Sequence, residues 1–130
     1  MVLTLSFHAL LSTYRLKGRT LFALVEKGDA ITLHFDLFHC DDPVRNRDGT
    51  EYRLDVTIKR ENFRMHNDGE ELLRENFSAD VLDAEIVGDD LRLVADGTFY
   101  GSKKQHVIEI VLIGNRVELC EYSPAPVKHT

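Results

Sequence analysis

The chain reads as a mainly β domain: an antiparallel, meander-rich β-sandwich or flattened barrel of about eight strands, with one short helix near residues 68–76. Three observations predict it. Apolar and polar residues alternate with period two in run after run, as in half-buried strands. Tight-turn signals separate the runs. Strands do not alternate with long helices, which argues against a doubly wound fold.

Leu3, Leu5, Phe7, Ala9 and Leu11 alternate with Thr4, Ser6 and His8, predicting a first strand. A break at Lys17-Gly18 precedes a second, with Leu21, Ala23 and Val25 on one face. Lys27-Gly28-Asp29 then marks a hairpin. The third run places Ile31, Leu33, Phe35 and Leu37 inward, with Thr32, His34, Asp36, Phe38 and Cys40 outward. A polar loop with Pro43 and Asp48-Gly49 leads to a fourth strand. There Tyr52, Leu54, Val56 and Ile58 point inward, while Arg53, Asp55, Thr57 and Lys59 face water.

The period fails after residue 60. Asn67 or Asp68 is placed to cap a short helix, Asp68 and Glu71 have capping-box spacing, and Leu72-Leu73 would be its buried contacts. Strands resume at Phe77, Ala79 and Val81, and then Leu82, Ala84 and Ile86 alternate in the opposite phase. That slip is the mark of a β-bulge. Gly88-Asp89 turns into Leu91, Leu93 and Ala95, and residues 96–104 read as a loop or interrupted strand. VIEIVLI at 107–113 is apolar on both faces apart from Glu109 and predicts a central, doubly covered strand. Gly114-Asn115 reads as a hairpin turn into Val117 and Leu119. The domain is expected to span 1–122, with 123–130 a frayed tail because Pro124 and Pro126 cannot continue a central strand.

Composition limits the function classes. With 130 residues, 43% hydrophobic and 29% charged, the chain is expected to be one soluble globular domain. A net charge of −6 disfavours nucleic acid and anionic membranes as partners. No basic n-region or cleavage site marks a signal peptide, so a cytoplasmic protein with Cys40 and Cys120 as free thiols is expected.

No motif identifies a reaction, and no cofactor is implied. Every glycine stands singly, so no phosphate loop is present, nor is there a nucleophile elbow. Asp41-Asp42 and Asp89-Asp90 lack the frame of a calcium loop and read as solubilising turn residues. His34 and Asp36 share a strand face, and His8 lies on the polar face of the first run. These three are the candidate metal set, although no third ligand is fixed by local spacing. Surface histidines beside a solvated aspartate are the simpler account.

Charge segregation is the strongest non-random feature. Residues 1–65 carry ten Lys/Arg against nine Asp/Glu, a net of +1, and residues 66–130 carry six against thirteen, a net of −7. Within 66–96, ten acids face only Arg74 and Arg92, a net of −8. An acidic face of this kind steers a basic partner; charged hairpin edges that keep the chain soluble would look the same. In size, acidity and β content the chain resembles bacterial toxin-immunity proteins and phage-encoded anti-defence inhibitors such as anti-CRISPR proteins, and no residue motif carries that likeness. The expectation is a non-enzymatic inhibitor or interaction protein that occludes a basic protein surface through Asp68, Glu70, Glu71, Glu75, Asp80, Asp83 and Glu85. A small-ligand- or metal-binding β-barrel is the alternative, and a homodimer is a further possible assembly.

Overall fold

Gly28 and Gly88, at φ +61° and +64°, begin the two-residue loops that join Lys27 to Ala30 and Val87 to Asp90. Positive φ matches the twist of a tight hairpin, and glycine adopts it without strain. These two hairpins form the middles of two half-sheets. The computed structural model describes residues 2–36, 53–67, 70–71, 77–99 and 104–122. Strand β1 (Val2–Ser6) leads into helix α1 (Phe7–Thr13), then β2 (Thr20–Lys27), β3 (Ala30–Asp36) and β4 (Arg53–Lys59). A 3-10 turn, Arg60–Asn62, precedes β5 (Phe63–Asn67) and the two-residue β6 (Glu70–Glu71). The remaining strands are β7 (Phe77–Val87), β8 (Asp90–Phe99), β9 (Lys104–Leu112) and β10 (Arg116–Tyr122).

All ten strands form one antiparallel sheet, in the order β1-β10-β4-β3-β2-β7-β8-β9-β5-β6. The first half-sheet is β1, β10, β4, β3 and β2, and the second is β7, β8, β9, β5 and β6. The seam between them is short, pairing Thr20 with Asp80 and Leu21 with Ala79. Leu33, Val56 and Leu119 of one half share a single buried cluster with Leu93, Ile110 and Met65 of the other. The sheet therefore curves around one core instead of lying flat.

The chain crosses between the halves at two points. Arg60–Asn62 carries it from β4 to β5, and residues 113–115 carry it from β9 to β10. Gly114-Asn115 is thus a crossover and not the expected hairpin, since β9 and β10 belong to different halves. Tertiary bonds hold it there: Ile113 N donates to the Asn62 carbonyl, and Phe7 N donates to the Asn115 carbonyl.

The one helix described is α1, which lies where the first strand was expected to continue. Ser6 is its N-cap, and its Oγ accepts from Ala9 N at 3.1 Å. Phe7, Leu10 and Tyr14 then fall three, four and seven apart on one face and are buried. Helical spacing hidden in an alternating run, together with a cap, overrides the strand reading. Near 68–76 the described residues Glu70 and Glu71 form a strand against Asn67 and His66; 68–69 and 72–76 lie outside the described residues, with the expected cap at Asp68 and its contacts Leu72-Leu73 among them.

Two bulges set the phase at the seam. In β7 the register shifts between Val81 and Asp83, as the phase slip predicts, so Val81 is buried while Leu82 is 48% exposed. In β2 it shifts between Leu21 and Ala23, which the sequence does not announce. Past that bulge Leu24 packs on the core and Val25 turns outward, correcting the face predicted for Ala23 and Val25. Residues 96–104, expected as a loop or interrupted strand, are strand at both ends, β8 running to Phe99 and β9 beginning at Lys104, with 100–103 outside the described residues. β9 is covered on one face only: Ile108, Ile110 and Leu112 are buried, whereas Val107 is 56% exposed.

Candidate functional site

Alternation places Asp80, Asp83 and Glu85 on the outer face of β7, opposite Ala79, Val81, Ala84 and Ile86, which pack on the core. Antiparallel register then aligns them with β8 and β9. Asp80 lies beside Asp96, Asp83 beside Val94 and then Glu109, and Glu85 beside Arg92. The expected contacts on β7 are therefore brought to one acidic face and joined there by Asp96 and Glu109. Asp68 and Glu75 lie outside the described residues, and of Glu70 and Glu71 only the backbone in β6 is described.

Within this face the charges are unequally balanced. Arg92 Nε lies 2.5 Å from Glu109 Oε2 and its Nη1 3.2 Å from Glu85 Oε1. The hydrogen bond to Glu109 is the main cause that raises the Arg92 pKa above its ordinary value, against a lowering from desolvation, with the Glu109 and Glu85 charges adding to the rise. Asp80 and Asp96 are register neighbours across β7 and β8 and place two carboxylates side by side. Thr20 Oγ1 donates to Asp80 Oδ1 at 3.1 Å across the seam, which holds the carboxylate in place without neutralising it.

The outer face of the first half-sheet holds a different constellation. Asp55 of β4 is only 7% exposed although it stands on the outward side of its strand. His34 Nδ1 approaches its Oδ1 at 2.5 Å, and Arg53 approaches with Nε 2.9 Å from Oδ1 and Nη2 3.2 Å from Oδ2. A carboxylate only accepts, so the imidazole tautomer that fits carries its proton on Nδ1. Phe22, extruded by the β2 bulge, stands with its ring centroid 6.1 Å from that of His34. Cys120 is Asp55's register neighbour on the opposite side, on β10. Two strand spacings, roughly 10 Å, separate β10 from β3, so Cys120 and His34 do not form a thiol–imidazole pair. This group neutralises a buried carboxylate and supplies no nucleophile.

The candidate metal set does not assemble. His8 is exposed on α1, whose preceding strand β1 is separated from β3 by β10 and β4. Asp36 Oδ1 is occupied in accepting from Thr20 N at 2.8 Å. Among the described residues no three His, Cys, Asp or Glu side chains converge on a common point that could hold a metal ion. Sequence reasoning missed the His34–Asp55–Arg53 group because His34 of β3 meets Asp55 across strands, while for Arg53 and Asp55 on β4 only the shared outward parity was legible. Residues Phe38 through Asp42 lie outside the described residues. Cys120 is half-buried on β10. Among the described residues no helix is long and apolar enough to cross a membrane.

Comparison of the chain with protein-family models, with curated proteins and with solved structures finds no match to any of them.

Proposed function

We infer that the protein is a non-enzymatic interaction or inhibitor protein that presents the acidic outer face of β7, β8 and β9 to a basic surface of a protein partner. The observation that carries this reading is the register of β7, β8 and β9, which gathers Asp80, Asp83, Glu85, Asp96 and Glu109 on one outward face. A surface that only had to stay soluble would intersperse the two signs. Clustered carboxylates speed encounter with a basic partner and fix its orientation. Toxin-immunity and anti-defence inhibition are activities of this kind, and occlusion needs no catalytic group.

Reversal of Asp80, Asp83 and Glu85 to Lys tests the reading. Partners captured from host lysate by the wild-type chain at low salt should be lost by the triple variant. For a purified partner, the association rate should fall at least tenfold, with a shallower dependence on salt. Retention of partner capture at low salt by a folded triple variant rules the acidic face out.

A further inference from the structure

We propose that the protein has a second site, a cleft on the first half-sheet that binds the phosphate group of a small organic phosphate. The cleft, of about 390 Å³, opens where β1, β10 and β4 reach the chain crossovers, and Thr4, Thr57, Lys59, Asn62, Arg116 and Glu118 form its polar lining. An adjoining hollow bounded by Asp29, Lys59, Arg60 and Glu61 extends it. A volume near 400 Å³ suits a small organic ligand.

The charge arrangement identifies the ligand. Glu118 lies opposite Thr57 at the end of the β10–β4 ladder, and Arg116 and Lys59, two residues beyond each, both line the cleft. Lys59 pairs with Ala30, and Ala30 in turn with Lys27, so cations recur along one outer row of the half-sheet. Among the described residues neither Lys59 nor Arg116 has an ion-pair partner, whereas Arg60 is bound to Glu26 at 3.5 Å. Lys59 and Arg116 line the cleft from neighbouring strands, and a phosphate between them accepts from both.

Hydrogen-bond donors surround the same place. Thr57 Oγ1 is 2.9 Å from Thr32 Oγ1; when Thr32 donates, the Thr57 hydroxyl is free to donate into the cleft. Thr4 and the Asn62 amide supply further donors. Gly114 leaves Asn62 its room, since a Cβ at that position would come within 3.1 Å of Asn62 Nδ2. Asp29 and Glu118, which also line the cleft, repel an extended polyanion, so the site suits one compact phosphate and not a nucleic-acid backbone.

The test is a titration of the full chain with inorganic phosphate, followed by amide NMR against sodium chloride at matched ionic strength. Saturable shifts should be confined to Thr4, Thr57, Lys59, Asn62 and Arg116 and should be absent with chloride. The Lys59→Ala/Arg116→Ala variant should bind at least tenfold more weakly, and Lys17→Ala should bind as wild type. Asn62→Asp, isosteric but anionic, should abolish binding while keeping the folded spectrum. Phosphate should raise the Tm of the wild type and not that of Arg116→Gln. Non-saturating shifts scattered over the basic residues, or equal affinity in the double variant, overturn the site. Loss of partner capture in the acidic-face variants leaves this outcome unchanged, because the two sites lie on different half-sheets.

Discussion

The two half-sheets share one core yet treat charge on their outer faces in opposite ways. On the first half, Asp55 is sunk among neighbours and neutralised by His34 and Arg53, and Thr32 and Thr57 satisfy each other. On the second, Asp80 and Asp96 are set side by side, and Arg92 gathers Glu85 and Glu109 without covering Asp83. The first face thus buries a carboxylate in internal pairing, and the second keeps its carboxylates outward. A carboxylate that is paired and buried holds structure, whereas carboxylates gathered on an exposed strand face are placed to meet a partner.

Three substitutions sharpen this contrast. Leu21 is wholly buried at the seam, where it pairs with Ala79. Leu21→Ala should cost about 3 kcal/mol by the cavity it leaves. Denaturant unfolding should remain a single transition with a lowered midpoint; two separate transitions would mean that the halves are independent units. Next in size, Asp55→Ala removes the acceptor shared by His34 and Arg53 and should cost about 2 kcal/mol. A measured change near zero would show that the paired half gains nothing from its buried carboxylate. The smallest effect has the opposite sign. Asp80→Asn keeps an acceptor for Thr20 and relieves the pairing with Asp96, so it should stabilise the fold by about 0.3 kcal/mol. Destabilisation instead would put Asp80 in a structural role.

Legibility in the sequence followed the range of the interaction. The inward Leu54, Val56 and Ile58 of β4 and the Val81/Asp83 bulge are correctly read, because a bulge in a strand with apolar residues on both sides of it inverts the alternation visibly, whereas Asp55, expected to face water, is buried and Tyr52 lies outside the described residues. The β2 bulge is not, because Ala23 and Val25 continue an apolar alternation on the wrong face and conceal the shift. The LSFHALLS run carries strand and helix spacing at once, and only the Ser6 cap and the burial of Phe7 and Leu10 separate them. At the candidate sites, outward parity placed Asp80, Asp83 and Glu85 on the outer face of β7, but Asp96 as the neighbour of Asp80 required the register. The approach of His34 to Asp55 and the meeting of Lys59 and Arg116 at one cleft required it equally, since no local spacing relates residues on different strands.

By itself, then, the sequence determined the β class, the tight loops at Gly28 and Gly88, and the inward residues of β3, β4 and β8, since these follow from backbone sterics and the two-residue period of a strand. Only the tertiary structure decided that β9 and β10 part company at Gly114, that β1 pairs with β10, and that α1 packs into the core. Strand neighbours are chosen by burial and hydrogen bonding between segments distant in sequence, and no local period records that choice.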